Sequence, residues 1–269
     1  MSLTQFQREV LRLIGEERKR SGESYVAGGV ALNVLTAGLR RSRDIDLFHD
    51  TAEALQKSWD GDRRVLEANG YNIETLRERP AFVEAVVSQG PEHVVLEWSQ
   101  DSAFRFFPLI EHSDLSLTLH PVDLATNKVL ALVGRREARD FVDVVRCDAH
   151  LQPLGFLAWA AAGKDPGFSP MSILAEAARS VRYAQPELDA LDYEGPAPSA
   201  PILANRWHEM LKSARAVVSL LPPQQAGKCV LDSTGELLRA SPNELQEALA
   251  RANVLFHPGT IRGSLPQIR

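Results

Sequence analysis

Two aspartates alternate with apolar residues in the stretch Asp44-Ile45-Asp46-Leu47, and this alternation constrains the fold more than any other feature of the sequence. A period of two predicts a β-strand with one apolar and one polar face, because successive side chains of a strand point to opposite sides. Asp44 and Asp46 would then share a face, with their Cα atoms roughly 7 Å apart. The stretch is therefore either a solvated strand edge or turn, or a site at which two carboxylates act together.

A glycine pair, Gly28-Gly29, precedes this stretch and is the second feature that indicates a functional site. Tyr25–Ala27 is predicted to be a short strand, and Gly28 and Gly29 then open a helix that Gly38 can terminate in a left-handed conformation. Backbone N–H groups at a helix N-terminus favour a phosphate, and glycine lets the phosphate come close. A double glycine alone is more often a plain turn. A strand, a glycine pair and a helix, followed by a strand with the pattern Asp-apolar-Asp, indicate a functional site far more specifically than either motif alone.

The remaining pattern predicts an α+β protein. Amphipathic helices are expected over residues 4–20 and 51–69, a β-hairpin over 84–100 around Gly90-Pro91, and one helix over 122–147. From about residue 150 the pattern is mostly helical, with a proline-rich linker at 192–201. We therefore expect a small mixed sheet with flanking helices over residues 1–150 and a mostly helical domain over residues 151–269.

Composition excludes several classes of protein. The 269 residues are 44% hydrophobic, which predicts a folded core, and the net charge of −5 argues against a surface that coats nucleic acid throughout. Cys147 and Cys229 are the only cysteines, so the sequence predicts neither a disulfide framework nor a zinc site, and it suits a reducing compartment. We find no apolar signal segment and no stretch long enough to cross a membrane, so the cytoplasm is expected.

The glycine pair and the aspartates occur in the order typical of a known superfamily. This part of the chain resembles the DNA polymerase β-type nucleotidyltransferases and, within them, the AbiEii-type (abortive-infection, type IV toxin) enzymes. The resemblance covers about residues 20–150. Its motifs here are Gly28-Gly29-Val30-Ala31-Leu32, then Arg41-Ser42-Arg43-Asp44-Ile45-Asp46-Leu47, then Lys128, and finally Arg139-Asp140-Phe141-Val142-Asp143.

This resemblance implies a nucleotidyltransferase fold and a metal-dependent reaction. A nucleoside monophosphate would pass from an NTP to an acceptor, pyrophosphate would leave, and the cofactor would be Mg²⁺ or Mn²⁺. Asp44 and Asp46 would bind the metal, and Gly28 and Gly29 would approach the triphosphate. The nucleotide-binding residues would also include Arg41, Ser42 and Arg43. Arg40, Arg41 and Arg43 could neutralise phosphates of the NTP or of an RNA acceptor, or they could equally be solvated loop charges.

The superfamily often adds a third carboxylate on a later strand, and Glu97 is the best candidate here. It would act as a third metal ligand or as a general base toward an acceptor hydroxyl. Asp101 and Asp114 are rivals for this role. A glutamate at such a position is also an ordinary surface residue in many proteins.

Lys128 and Asp140 complete the predicted catalytic set. Lys128 stands among apolar residues and would supply a cation for the triphosphate, although a lysine that extends from a half-buried helix would give the same pattern. Asp140 would orient Lys128, and Asp143 is a weaker candidate. The pairs Arg136–Asp140 and Arg139–Asp143 could instead simply support a helix.

The resemblance also bears on partners. It implies an NTP substrate, a tRNA or protein acceptor, and the toxin role of a toxin–antitoxin pair with a cognate antitoxin. One alternative is a nucleotidyltransferase for a small molecule such as an antibiotic. Another is a catalytically inactive member that binds a nucleotide or a protein partner. Val30, after the glycine pair, and the open choice of the third carboxylate keep this alternative open.

Overall fold

The computed structural model describes residues 3–179 and 183–268, and the positions 1, 2, 180–182 and 269 lie outside the described residues. The chain forms two compact units, each built from several segments. The first contains residues 1–103, 108–120 and 192–194, and the second contains residues 104–107, 121–191 and 195–269. The domain boundary near residue 150 stays a prediction.

The described residues form helices and strands of ordinary length. The helices are α1 Gln5–Ser21, α2 Gly28–Leu35, α3 Ala52–Ala68, α4 Pro121–Arg135, α5 Ala138–His150, α6 Leu154–Ala161, α7 Pro170–Ala177, α8 Gln185–Asp189, α9 Ala200–Leu220 and α10 Pro242–Ala250. The strands are β1 Ser24–Ala27, β2 Asp44–His49, β3 Asn72–Arg79, β4 Phe82–Gln89, β5 Glu92–Gln100, β6 Phe104–Arg105, β7 Ile110–His112, β8 Ser116–Thr118, β9 Cys229–Asp232, β10 Val254–His257 and β11 Thr260–Ile261. No helix among the described residues is long and apolar enough to cross a membrane.

The first unit is built on a seven-stranded sheet with the order β3-β4-β5-β2-β1-β8-β7. Strand β2 is parallel to β5 and β1 is parallel to β8, whereas the other neighbouring strands are antiparallel. The sheet is thus mixed and is flanked by helices. This confirms the predicted fold class.

Along β2, β4 and β5, one face of this sheet is packed and the other is half-exposed. Along β2 the buried side chains are Ile45, Leu47 and His49, and they alternate with partly exposed ones. Helix α3 packs on the buried face, because Trp59 meets Trp98 of β5 with ring centroids 4.8 Å apart. The alternation predicted for Asp44 to Leu47 is therefore present: Ile45 and Leu47 are buried in the core, and Asp44 and Asp46 lie on the half-exposed face.

A buried polar network ties the packed face together. Arg18 of α1 pairs with Asp62 of α3, and the indole N–H of Trp98 donates to the same carboxylate at 2.8 Å. Nearby, Ser24 Oγ lies 2.9 Å from Nε2 of His49. Burial, together with the charge of Arg18, lowers the pKa of His49 to about 3. His49 is therefore neutral in the folded chain at neutral pH.

We expect this histidine to make the fold sensitive to acid. Below its ordinary pKa of 6.5 the unfolded chain binds a proton that folded His49 refuses until about pH 3, so stability falls as the pH falls through that window. The loss is at most about 1.4 kcal/mol per pH unit. Chemical denaturation between pH 7.5 and 4.5 should show a shallower decline for His49→Gln than for the wild type. The exposed His93→Gln is the control, and identical pH profiles for His49→Gln and the wild type would contradict the assignment.

Several local expectations were wrong. The helix predicted over 122–147 is two helices, because Arg136 adopts a left-handed φ of 54° between α4 and α5. After α2 it is Ala37, with a φ of 49°, that is left-handed, and not Gly38. A side chain on Gly38 would instead collide with Asn33. Strand β3, and the strands of the C-terminal half, were not predicted.

In the second unit the short segment Phe104–Phe107 is held by a buried ion pair. The Asp123 carboxylate accepts hydrogen bonds from the backbone N–H groups of Phe106 and Phe107, at 2.9 and 3.1 Å. Nζ of Lys164 lies 2.8 Å from Asp123 Oδ1. Asp123 of α4 therefore anchors a segment that precedes its helix in the chain.

Candidate active site

Three carboxylates stand side by side across the half-exposed face of the sheet. Asp46 of β2 is in register with Glu97 of β5, and Glu97 is in register with Glu84 of β4. Neighbouring strands lie about 4.8 Å apart, so these side chains are close neighbours. All three are partly buried. We call Asp46, Glu97 and Glu84 the carboxylate row.

Asp44 lies on the same face, two residues before Asp46, and is in register with Val95. The structure therefore brings Asp44, Asp46 and Glu97 to one face of two adjacent parallel strands. The rivals for the third position lie elsewhere: Asp101 follows the end of β5, and Asp114 lies between β7 and β8 and pairs with Arg8 at 3.4 Å. The register of β2 and β5 thus distinguishes Glu97 from both.

The glycine turn lies directly against Asp46. Strand β1 ends at Ala27, which is in register with Asp46, and α2 begins at the next residue. Gly28 has a φ of 65°, which favours glycine, and a Cβ atom there would collide with the Asp46 carboxylate. The N-terminus of α2 and an aspartate of the carboxylate row therefore meet at this glycine.

A guanidinium and a hydroxyl converge on the second glycine. A Cβ atom placed on Gly29 would lie 2.6 Å from Nη2 of Arg40 and 2.9 Å from Oγ of Ser42. Arg40 is only 5% exposed, whereas Arg41 and Arg43 are exposed to solvent. Among the predicted nucleotide-binding residues, the structure thus places Ser42 at the turn and turns Arg41 and Arg43 outward.

The sequence did not distinguish Arg40 from Arg41 and Arg43 as a candidate for phosphate binding. The sequence did contain a signal that separates them. In an extended backbone, residues 40 and 42 lie on one side and residues 41 and 43 on the other. A single alternation in a short loop predicts little unless the loop is known to be extended. In the structure, the β-bridge at Arg40 shows that the loop is extended there.

In the second unit Lys128 is held by two buried aspartates. Its Nζ lies 3.1 Å from Asp140 Oδ1 and 3.1 Å from Asp143 Oδ2, and its side chain is 9% exposed. Arg135 also contacts Asp140, at 2.7 and 3.0 Å. Burial alone would raise the pKa of Asp140, but the hydrogen bond from Arg135 and the charges of Lys128 and Arg135 outweigh it and lower that pKa. Asp140 is thus an anion that fixes the position of an ammonium group.

The oxygen donors of the first unit suit a hard cation. Within residues 3–179 and 183–268, no three His, Cys, Asp or Glu side chains are gathered closely enough to enclose a metal ion. Magnesium is commonly held by one or two carboxylates together with substrate phosphates, and it does not require a complete protein cage. Asp44 and Asp46, beside a turn that offers backbone N–H groups, provide such a partial ligand set.

The chain is similar to several solved structures. JHP933 from Helicobacter pylori aligns over 81% of this chain and 95% of its own, with a TM-score of 0.50 and 16% identity. A further H. pylori structure, described as a candidate nucleotidyltransferase, covers 81% of this chain and 98% of its own (TM-score 0.47, 15% identity). The MenT4 nucleotidyltransferase toxin of Mycobacterium tuberculosis covers 81% and 85% (TM-score 0.47, 11% identity).

The chain shares its fold with JHP933. Sequence comparison adds nothing further, since no protein-family model and no curated protein matches. At these low identities the structural likeness concerns the fold alone. The function of this chain therefore rests on its own residues.

Proposed function

We propose that this chain is a metal-dependent nucleotidyltransferase that moves a nucleoside monophosphate from an NTP to an acceptor. One observation carries the proposal: Asp46 lies in register with Glu97 and, at the same time, directly against Gly28 at the start of α2. Carboxylate oxygens suited to a hard cation and backbone N–H groups suited to a phosphate thus meet at one point. A solvated strand edge would not require a left-handed glycine packed on its carboxylate.

Asp44, Asp46 and Glu97 would hold Mg²⁺ or Mn²⁺ in this proposal. When bound, such a metal supplies positive charge to the phosphate oxygens of the NTP. The support is the donor chemistry, because carboxylate oxygens on one face of two adjacent strands are the ligands these ions prefer.

The chain's own residues would bind and position the rest of the nucleotide. Backbone N–H groups at Gly28 and Gly29 would donate to phosphate oxygens, with Ser42 and the guanidinium of Arg40 beside them. Glu97 would accept the proton of the acceptor hydroxyl if it does not bind metal. Positioning and charge stabilisation would then account for most of the rate enhancement.

Lys128 is proposed as a nucleotide-binding cation, with Asp140 as its positioning residue. The support is the order of motifs in the sequence and the contacts that hold the ammonium group at a fixed place. A lysine that merely extended from a half-buried helix would place its charge in water, whereas Lys128 is buried with its charge.

The acceptor we favour is a tRNA or a protein, and the biological role we favour is that of a toxin with a cognate antitoxin. Both follow from the resemblance of the Gly28–Leu32 and Arg41–Leu47 motifs to AbiEii-type enzymes. We place the protein in the cytoplasm, which suits two buried free cysteines.

Two measurements, made one after the other, test the proposal. Calorimetric titration with each NTP in the presence of Mg²⁺ should show binding, and no binding at millimolar nucleotide would end the enzyme hypothesis. Incubation with labelled NTPs and either total tRNA or a protein lysate should then transfer label to one of them. Label on a small-molecule acceptor alone would support an antibiotic-type enzyme, and binding without any transfer would support an inactive member.

A further inference from the structure

A three-residue piece of the proline-rich linker belongs to the first unit. Leu191 and Gly195 are assigned to the second unit, but Asp192–Glu194, which we call the strap, are assigned to the first. The strap forms an antiparallel bridge in which Arg40 faces Tyr193. Far from being a plain spacer, the linker makes a specific backbone contact at this point.

Two backbone hydrogen bonds define that contact. The N–H of Arg41 donates to the carbonyl of Asp192 at 2.8 Å, and the N–H of Glu194 donates to the carbonyl of Leu39 at 2.7 Å. They fall on either side of Arg40 and hold its backbone extended. The strap therefore fixes the loop that joins α2 to β2.

The same loop is fixed from a second side. Nε2 of Gln7, on α1, donates to the carbonyl of Ser42 at 3.1 Å. Between these contacts lie the two side chains that converge on Gly29, the guanidinium of Arg40 and the hydroxyl of Ser42. The backbone of the loop is thus held on both sides, and the two polar side chains lie at the start of α2.

We propose that the strap is a positioning element for nucleotide binding, acting through Arg40. This inference rests on the proposed function, since it assigns the strap's role at that same phosphate site. An arginine recognises phosphate through a planar fork of N–H groups, and such recognition depends on how well the fork is held before the ligand arrives. Without the strap, the loop would lose two backbone hydrogen bonds and would hold Arg40 less firmly. Nucleotide binding would then have to offset the entropy lost when the loop is ordered.

A proline at residue 194 tests the strap at a single hydrogen bond. Glu194→Pro removes the N–H that donates to Leu39, whereas Glu194→Ala removes the same side chain and keeps that N–H. The residue before a proline favours extended backbone, which Tyr193 already has in the bridge. Both variants therefore remove the Glu194 side chain, and Glu194→Pro also removes the backbone donor.

Two readouts separate positioning from mere stability. Amide hydrogen exchange at Arg41, measured without nucleotide, should be about tenfold faster in Glu194→Pro than in Glu194→Ala, as expected from the loss of about one hydrogen bond. The Kd for NTP with Mg²⁺ should rise by about tenfold in Glu194→Pro only. Tm measurements on both variants show that the fold persists.

The outcomes are distinct. Unchanged exchange at Arg41, or fast exchange with an unchanged Kd, would overturn the strap's role while leaving the proposed function standing. Equal loss of affinity in Glu194→Ala would assign the effect to the side chain and overturn it as well. A wild-type protein that binds no nucleotide would instead overturn the proposed function, and with it this inference. Tyr193→Ala offers a second perturbation of the strap should Glu194→Pro fail to fold.

Discussion

Asp46→Asn is expected to lower nucleotidyl transfer by about 10²–10³-fold, the usual cost of removing one preorganised electrostatic contact from a transition state. Asparagine keeps the shape of aspartate, so it fits against Gly28 as Asp46 does, but it lacks the negative charge that we propose binds a cation. Transfer rates at saturating NTP and metal, with a nucleotide titration in parallel, provide the measurement.

Glu84→Gln is the matched control, because Glu84 belongs to the same carboxylate row but lies on β4, beyond Glu97. It undergoes the same change of charge farther from the glycine turn. We expect its transfer rate to stay within a few-fold of the wild type. Wild-type activity in Asp46→Asn would show that the metal assignment is wrong, and equal losses in both variants would show that the effect is one of net charge.

The same substitution has an informative effect on stability. Like charges directly opposite one another on neighbouring strands destabilise a sheet, and Asp46 faces Glu97 in this way. Loss of activity in Asp46→Asn should therefore come with an unchanged or higher Tm, which is the usual relation where a site is built for function at the expense of stability.

Lys128→Met is expected to lower the free energy of unfolding by about 3–5 kcal/mol, because removal of one partner from a buried ion pair leaves charge in a poorly solvating interior. Asp140 keeps Arg135, but both Asp140 and Asp143 lose a contact of 3.1 Å. Urea denaturation measures the change, and Lys212→Met on the exposed face of α9 is the control. A stability equal to that of the wild type would contradict the ion cluster.

Lys128→Arg separates the two roles of this residue. It retains the positive charge for Asp140 and Asp143 but replaces a compact ammonium with a wide planar fork. If Lys128 binds nucleotide, this variant should recover part of the stability and little of the transfer. Recovery of both would indicate that only charge is needed.

Local features of the site were predictable, whereas long-range ones were not. The strand character of Asp44 to Leu47 follows from alternation, which depends on neighbours in sequence alone. The register of Asp46 with Glu97 depends on a parallel pairing between distant strands, and the choice of Glu97 came from a motif resemblance. The division of α4 from α5 at Arg136 was missed, because nothing in an amphipathic pattern marks a single left-handed residue.

Arg40 illustrates the same limit in the loops. Three arginines stand close together in the sequence, and only tertiary contacts decide that one is buried beside Gly29 while Arg41 and Arg43 face solvent. The contacts that decide it come from Gln7 on one side and from the strap on the other. No short window of sequence contains both Gln7 and the strap.

The segmented make-up of the two units has a consequence for how such a gene can be rearranged. Residues 104–107 and 121–191 interrupt the first unit, and residues 108–120 and 192–194 interrupt the second. No single crossover point in the gene therefore separates one unit whole from the other. A recombination event that joined the first 150 codons to a new partner would leave Asp192–Glu194 behind and would carry Phe104–Phe107 away from Lys164. The two units are thus expected to be inherited together, and exchange of the second unit for another would require the interleaved segments to be replaced with it.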